Sequence, residues 1–165
     1  MDQTLRILGI DPSTVATGWC VLAVDGSHEG VAAGGVYTPP KGDADARLLD
    51  AFRWLRGAVE IHGPDVVAIE TPFYRMNART LVTLAQLGAA FRLAATIEGL
   101  PVEPVAPAER CTALGLGGNA DKRQVLYTVN AVYNLSLTDH NEADAVAIAA
   151  AAALRRRTET FATGG

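Results

Sequence analysis

The sequence contains no uninterrupted apolar run of about 18 residues, the length that a membrane-spanning helix needs. Its first residues also lack the basic stretch followed by an apolar stretch that identifies a secretory signal. These absences predict a protein that resides in the cytoplasm and does not enter a membrane.

Cysteine and histidine are scarce as well. Cys20 and Cys111 are the only cysteines among 165 residues, too few for the disulfide framework of a small secreted domain. Cys20 lies in the apolar segment GWCVLAV, where we expect it to be buried as a small hydrophobic side chain. Cysteine and histidine form no cluster, which argues against a zinc site.

The chain also lacks an excess of positive charge. Its formal net charge of −4 argues weakly against a nucleic-acid partner, because phosphate binding needs positive charge. Half of the 14 Lys and Arg residues are nevertheless concentrated in three places, namely Arg75 and Arg79, Lys122 and Arg123, and Arg155–Arg157. The negative net charge therefore does not exclude a basic face on this protein.

What the sequence does contain is enough apolar material for one core. Hydrophobic residues make up 49% and charged residues 19% of the chain, a balance typical of a folded α/β domain. We predict a single domain over residues 1–155. The segment RRRTETFATGG that begins at Arg155 has no periodic pattern, and we predict a flexible tail over residues 156–165.

The hydrophobic periodicity predicts a mixed sheet of five strands flanked by helices. An antiparallel meander of three strands comes first, and parallel strands joined by helices follow. The predicted strands are Leu5–Ile10, Gly18–Val24, Gly30–Thr38, Asp65–Glu70 and Pro101–Pro104. The predicted helices are Asp45–His62, Ala78–Glu98, Pro107–Leu114, Lys122–Tyr133 and Ala143–Arg155.

Carboxylates stand at the ends of two apolar strands. Asp11 ends the first strand and Glu70 ends the strand DVVAIE. A buried carboxylate needs a partner or a metal, and α/β sheets place their sites at the carboxyl ends of strands. A capping role in a turn explains either residue alone about as well.

A third carboxylate, Asp144, lies inside the Ala-rich helix of the segment DHNEADAVAIAA. Asp139 and Glu142 suit a capping box, whereas Asn141 and His140 share the helical face of Asp144. Together with the strand-end carboxylates, Asp144 predicts an oxygen-rich site for Mg²⁺ or Mn²⁺, with a pair of ions hydrolysing a phosphodiester. The alternative is a surface aspartate beside a polar turn.

Several segments, in order along almost the whole chain, resemble the RuvC family of Holliday junction resolvases. They are ILGIDPSTVATGW at Ile7–Trp19, VVAIETPFYRMNARTLVTLAQLGAA at Val66–Ala90, RCTALGLGGNADKRQV at Arg110–Val125, and NEADAVAIA at Asn141–Ala149. The resemblance implies an RNase H-like fold and a homodimer that binds four-way junctions and nicks them in symmetric pairs. It further implies a crossover junction endodeoxyribonuclease that acts in homologous recombination and DNA repair with RuvA and RuvB as partners.

The resemblance also assigns metal ligands, with one departure. Asp11, Glu70 and Asp144 match catalytic metal ligands of the family, and Asn141 stands where the family commonly has Asp or His. Asn offers a carbonyl oxygen without charge, so we expect weaker binding of one ion or a preference for Mn²⁺. His140, next to Asn141, is an alternative ligand.

The resemblance places DNA contacts in two segments. In the loop TPFYRMN, Phe73 matches the aromatic residue that stacks on a base at the junction centre, and Tyr74 competes for that role. Packing of Phe73 in the core is the alternative. The neighbouring residues expected to hold phosphates are Arg75, Asn77 and Arg79, and two further basic positions match the family at Arg110 and Lys122.

Other functions stay open from the sequence alone. The uncharged Asn141 at a metal-ligand position favours one alternative, a junction-binding protein with weak or absent nuclease activity. An RNase H-like nuclease acting on RNA is a further alternative, against which the aromatic loop argues. The segment GIDPSTVATG also resembles the phosphate-binding hairpin of sugar kinases and actin-like ATPases, but 165 residues are too few for the domain pair that encloses a nucleotide.

Overall fold

The computed structural model describes residues 4–72 and 77–163. Its strands are β1 (Leu5–Asp11), β2 (Thr17–Asp25), β3 (His28–Tyr37), β4 (Val66–Glu70) and β5 (Val102–Val105). Its helices are α1 (Ala44–His62), α2 (Ala78–Ile97), α3 (Pro107–Ala113), α4 (Lys122–Tyr133) and α5 (His140–Thr163). Every predicted element is present, and the bounds of α4 agree with the prediction to the residue.

The five strands form one mixed sheet in the order β3-β2-β1-β4-β5. The pairs β1–β2 and β2–β3 are antiparallel, and tight turns connect them. The pairs β1–β4 and β4–β5 are parallel, with α1 and α2 as the crossover helices. The predicted meander plus parallel strands is therefore confirmed, and β1 lies at the centre of the sheet where both patterns meet.

Each face of the sheet carries its own apolar core. Ile7 in β1 and Ala68 in β4 face α5 together with α4, whereas Leu8 in β1 and Ile69 in β4 face α1 and α2. Successive side chains of a strand alternate between the faces, so every second residue of β1 and β4 points towards α5. This alternation decides which face receives the carboxylates at the strand ends.

The helix α5 lies unusually close to the sheet because small residues meet at the contact. A Cβ atom at Gly9 of β1 would stand 2.4 Å from the carbonyl oxygen of Ala145, and one at Gly18 of β2 would stand 1.8 Å from that of Asn141. Real Cβ atoms do not approach backbone oxygens so closely, so both positions require glycine. The alanines of α5 from Ala143 to Ala153 are correspondingly buried.

The opposite layer contains a cluster of aromatic rings between the sheet and the helices α1 and α2. Tyr37 stacks on Trp54 with ring centroids 4.6 Å apart, and Trp19 meets Trp54 edge-on at 6.2 Å. Phe91 of α2 contacts both Tyr37 and Trp54. Edge-to-face and offset contacts of this kind stabilise the packing beyond the area that they bury.

The helix α2 is more apolar on its outside than a surface helix normally is. Its buried residues are Leu87, Phe91, Ala94 and Ala95, and most of the others are exposed. Within the described residues, α2 is the one helix long and apolar enough to cross a membrane by length and composition. The sequence alone does not indicate this, because Arg79 and Arg92 interrupt the apolar run.

The end of α5 differs from the prediction. We expected a helix over Ala143–Arg155 followed by a flexible tail over residues 156–165, whereas α5 begins at His140 and continues to Thr163, so the predicted helix bounds were too short at both ends. Three ion pairs connect the residues around the predicted helix end to other elements of the fold. They join Arg155 to Glu109, Arg156 to Glu103 and Arg157 to Glu29, which belong to α3, β5 and β3. Charge contacts, which leave no hydrophobic period in the sequence, hold this part of the helix.

Candidate active site

Asp11 and Glu70 meet at one edge of the sheet. They end the neighbouring parallel strands β1 and β4, whose register pairs Ile10 with Ile69 one residue earlier. Both continue the alternating set that points towards α5, which includes Ile7 in β1 and Ala68 in β4. Strand pairing and side-chain alternation therefore bring the two carboxylates together on the α5 face.

The turn after β1 is held by hydroxyl groups. The Ser13 hydroxyl accepts hydrogen bonds from the backbone N–H groups of Val15 and Ala16. The fully buried Thr17 donates its hydroxyl hydrogen to the Ser13 carbonyl and accepts from the Ser13 N–H. These bonds fix the path of the chain directly after Asp11 and place Ser13 and Thr14 beside it.

The first turn of α5 supplies Asn141 and Asp144. Asp139 caps this helix, because its carboxylate accepts from the N–H groups of Asn141 at 2.7 Å and Glu142 at 3.3 Å. The predicted capping role of Asp139 is thus confirmed. The Asn141 carbonyl packs directly on Gly18 of β2, which brings this turn of the helix against the strand. Gly18 is also the residue of β2 that pairs with Asp11 of β1. Asp144, 2% exposed, consequently faces the strand-end carboxylates.

Two basic residues come from the other helices on this face. Arg110 belongs to α3, which begins at Pro107 and where the Glu109 carboxylate accepts from the Ala106 N–H at 2.6 Å. Lys122 is the first residue of α4. Asp121 and Gln124 form a reciprocal capping box there, with both hydrogen bonds at 2.9 Å. The capping contacts fix the residues at which α3 and α4 begin.

These residues line one cavity of about 680 Å³. The cavity brings together six predicted site residues: Asp11, Glu70, Arg110, Lys122, Asn141 and Asp144. Three carboxylates, one guanidinium and one ammonium group therefore share a space large enough for a phosphodiester and its neighbours. Such a concentration of buried charge is expensive to fold and is typical of functional sites.

Ion pairs connect the charged groups of the cavity. The Arg110 Nε atom lies 2.8 Å from Glu70 Oε1, and Arg110 Nη1 contacts Asp144 Oδ1. The Lys122 Nζ atom lies 3.6 Å from Asp144 Oδ2. Asp144 is therefore paired through both oxygens, whereas Asp11 faces Glu70 and has no ion pair among the described residues.

The pKa values of the three carboxyl groups differ because only two of these groups are paired with a cation. Burial, and then the negative charges of Glu70 and Asp144, raise the pKa of Asp11 from 3.8 to about 8. Burial also raises the pKa of Glu70 and of Asp144, although Arg110 and Lys122 oppose the effect at both. The negative charge of the cavity is least compensated at Asp11, where an added cation would gain the most.

The donor set suits a hard divalent cation, because it consists of carboxylate and amide oxygens without sulfur. Across residues 4–72 and 77–163, no three Asp, Glu, His or Cys side chains stand together as a ready metal site. The guanidinium of Arg110 instead bridges the facing oxygens of Glu70 and Asp144. The residues therefore fit the cation by chemistry, and their present arrangement places Arg110 among them.

Other predicted site residues lie elsewhere. His140 does not line the cavity; its Nδ1 donates to the Lys122 carbonyl oxygen at 3.2 Å, which gives no support to a metal-binding role. Asn77 caps α2 by accepting from the Thr80 N–H at 2.9 Å. Arg79 is exposed on the first turn of α2, and Phe73, Tyr74 and Arg75 lie outside the described residues.

The cavity also contains polar groups that the sequence did not single out. Ser13 and Thr14 follow Asp11 after a single intervening residue, Pro12, and their position near a candidate ligand was a signal that could have identified them. Thr80 of α2 and Asn119 of the segment before α4 line the wall as well. These two come from distant parts of the chain, so only the folded structure reveals them.

The sequence is similar to characterised families over nearly its whole length. The family model for crossover junction endodeoxyribonuclease RuvC matches residues 7–152. A crossover junction endodeoxyribonuclease RuvC from Maricaulis maris is 39% identical over 95% of this chain and 95% of its own length. The corresponding protein from Salinibacter ruber is 34% identical over 87% of this chain and 82% of its own.

The fold is similar to solved structures of the same kind. The structure of Thermus thermophilus RuvC superposes with a TM-score of 0.83 at 26% identity, covering 94% of this chain and 98% of that one. The structure of T. thermophilus RuvC in complex with a Holliday junction substrate gives the same score and coverage at 25% identity. The predicted RNase H-like fold is thereby confirmed.

Proposed function

The chain belongs to the crossover junction endodeoxyribonuclease RuvC family, and on that premise we propose that it resolves four-way DNA junctions by paired symmetric nicks. The observation that carries the proposal is the meeting of Asp11, Glu70 and Asp144 with Arg110 and Lys122 in one open cavity. Membership of this nuclease family implies dependence on a divalent metal. The related structure that contains a Holliday junction substrate supports the class of DNA.

We assign the metal to the oxygen ligands of the cavity. Asp11, Glu70 and Asp144 would hold Mg²⁺ or Mn²⁺, with the amide oxygen of Asn141 as the remaining ligand. A pair of bound ions would supply an activated water and charge neutralisation for in-line hydrolysis of a phosphodiester. Because Asn141 contributes no charge, we expect one of the ions to bind weakly or to be preferred as Mn²⁺.

The other side chains of the cavity are suited to hold the DNA strand. Lys122 is 58% exposed at its side chain and can swing from Asp144 to a phosphate oxygen without losing solvation. The hydroxyl-bearing Ser13 and Thr14 line the wall beside Asp11. Arg79 is exposed at the start of α2 and is a further candidate for a phosphate contact. Stacking of Phe73 or Tyr74 on a base stays a prediction.

The exposed side of α2 supports the proposed homodimer. Val82, Ala85, Ala89 and Leu93 follow helical spacing along one exposed stripe, with Val82 at 56% and Leu93 at 55% exposure. A stripe of this kind marks an interaction surface, and its small residues allow a second helix to approach closely. Dimerisation would also provide the pair of active sites that symmetric nicking requires.

The dimer is tested by Leu93→Glu, which should shift the chain from dimer to monomer in analytical ultracentrifugation. Tyr127→Glu serves as the control, because Tyr127 is 77% exposed on α4, away from the stripe. If both variants keep the mass of the wild type, the stripe is not the interface. RuvA and RuvB as partners and a cytoplasmic location belong to the same proposal.

Cleavage of a synthetic four-way junction tests the function, with a linear duplex of the same sequence as the control substrate. We expect paired nicks in the junction alone, in Mg²⁺ or Mn²⁺, and a loss of at least about a hundredfold for Asp11→Asn. Asp25→Asn, at the exposed end of β2, should cleave like the wild type. Equal cleavage of the linear duplex, or full activity of Asp11→Asn, would overturn the proposal.

Asn141 and the Arg110 bridge favour a second candidate, a junction-binding protein with little nuclease activity. Both features reduce the charge available to a metal. Tight junction binding without nicks in either metal would identify this function. An RNA–DNA hybrid in the same assay tests the alternative nuclease acting on RNA, for which cleavage of the hybrid and not the junction is the distinguishing result.

A further inference from the structure

Arg110 connects carboxylates that belong to different parts of the fold. It extends from α3, is 13% exposed at its side chain, and contacts Glu70 at the end of β4 and Asp144 inside α5. The guanidinium forms an ion pair with each carboxylate, but none of the four facing atoms, Arg110 Nε and Nη1, Glu70 Oε1 and Asp144 Oδ1, has a hydrogen-bond partner. Charge attraction therefore holds this bridge, without hydrogen bonds of regular geometry.

Lys122 behaves differently towards the same carboxylates. Its Nζ atom is 3.6 Å from Asp144 Oδ2, and its side chain is 58% exposed. A solvated ammonium at that distance exchanges readily with water and with other cations, because its attraction to the carboxylate is screened. Arg110, by contrast, is nearly buried between its partners and has no comparable solvation to return to.

The oxygens that Arg110 contacts are the ones that a divalent ion would need. Glu70 Oε1 and Asp144 Oδ1 each lie within direct contact of a guanidinium nitrogen. A divalent ion bound to the same oxygens would stand a few ångströms from a guanidinium of like charge, at a site where water screens poorly. Both cations therefore cannot use these oxygens together.

We propose that Arg110 is an internal competitor of the metal, which must release Glu70 and Asp144 before the site accepts its full complement of divalent ions. The inference rests on the proposed function in taking these carboxylates as metal ligands. In the DNA-free protein the bridge keeps the carboxylates paired and the site closed to adventitious cations. Metal entry then frees a guanidinium that faces the cavity.

The released Arg110 has an obvious second partner in a DNA phosphate. A guanidinium binds phosphate oxygens with the same fork geometry that it uses for carboxylates. Metal binding and DNA binding are then coupled, because each removes Arg110 from the state that opposes the other. Such coupling is reciprocal, so DNA should also raise the affinity for the metal.

Mn²⁺ binding to the DNA-free full-length chain, measured by isothermal titration calorimetry, tests the proposal without involving cleavage. We expect Arg110→Gln to bind Mn²⁺ at least about tenfold more tightly than the wild type, since a competing charge is removed. Arg56→Gln is the matched control, because Arg56 is also paired with a glutamate but lies far from the cavity in α1. Its Mn²⁺ affinity should be unchanged.

Arg110→Lys provides a second variant in case the glutamine variant folds poorly. Lysine retains the charge but presents a single ammonium group that cannot bridge both carboxylates, so we expect Mn²⁺ affinity between those of wild type and Arg110→Gln. Unchanged or weaker Mn²⁺ binding in the folded Arg110 variants would overturn the proposal. If affinity rises but the wild type cleaves no junction, the competition stands and the proposed function fails.

Discussion

Replacing Asp11 by Asn should make the metal-free protein more stable while it removes catalysis. In the folded chain, burial and the charges of Glu70 and Asp144 raise the pKa of Asp11 from 3.8 to about 8. Because this pKa is raised in the folded state, Asp11 disfavours folding only where it ionises in the unfolded chain. Its contribution to the free energy of unfolding is therefore most favourable below about pH 4 and is lost as the pH rises towards about 8.

The magnitude follows from the difference between the two pKa values. At pH 7 the carboxyl group of Asp11 disfavours folding by about 4 kcal/mol relative to a neutral side chain, since each pKa unit corresponds to about 1.4 kcal/mol. Adjustment of neighbouring charges lowers the effect, so we expect Asp11→Asn to stabilise the protein by about 2–4 kcal/mol. For a chain of this size the melting temperature should rise by about 5–10 °C.

Thermal unfolding in a chelating buffer, followed by circular dichroism at pH 4 and pH 7.5, measures the effect. The variant should unfold at a higher temperature than the wild type at pH 7.5 and show little advantage at pH 4. Saturating Mn²⁺ should shrink the advantage, because it stabilises the wild type more. Asp25→Asn, exposed at the end of β2, is the control and should leave the melting temperature unchanged.

Two outcomes of the unfolding experiment would contradict the prediction for Asp11→Asn. If Asp11→Asn unfolds at or below the wild-type temperature at pH 7.5 without metal, the charge at Asp11 is compensated in a way that the ion pairs of the cavity do not show. An equal gain at both pH values would assign the effect to packing and not to ionisation.

Three further perturbations test other parts of the structure. Gly18→Ala should destabilise the protein by about 1–3 kcal/mol in denaturant titrations, because its Cβ would overlap the Asn141 carbonyl; an unchanged midpoint would refute the close contact. Asn141→Asp should raise the ratio of junction cleavage in Mg²⁺ to that in Mn²⁺, since it adds a charged ligand; a constant ratio would exclude Asn141 as the cause of any metal preference. Arg157→Gln removes the ion pair with Glu29, so amide hydrogen exchange in residues 156–163 should accelerate; unaltered exchange would show that other contacts hold the end of α5.

The strand-end carboxylates were predictable from the sequence because local rules decide their position. An apolar run that ends in Asp11 or Glu70 predicts a strand and its end, and the mixed topology makes those strands neighbours. The start of α4 was equally predictable, since the spacing of Asp121 and Gln124 is typical of a capping box and the structure contains both of its hydrogen bonds. The resemblance to a known family connected these local signals to Asp144.

Contacts between distant residues were not predictable from local patterns. The Arg110 bridge depends on α3, β4 and α5 meeting, and no spacing in the sequence indicates that one guanidinium reaches both carboxylates. The continuation of α5 depends likewise on glutamates in other elements. His140 was expected on the face of Asp144, but its hydrogen bond with the Lys122 carbonyl turns it towards α4.

The aromatic cluster has a practical consequence for spectroscopy. Both tryptophans of the chain, Trp19 and Trp54, lie in that cluster, on the side of the sheet covered by α1 and α2. Their emission therefore reports on this layer but hardly on the alanine-rich layer of α5. Circular dichroism is dominated by the helices of both layers. Coincidence of the two optical signals during unfolding would show that the layers separate from the sheet in a single cooperative event.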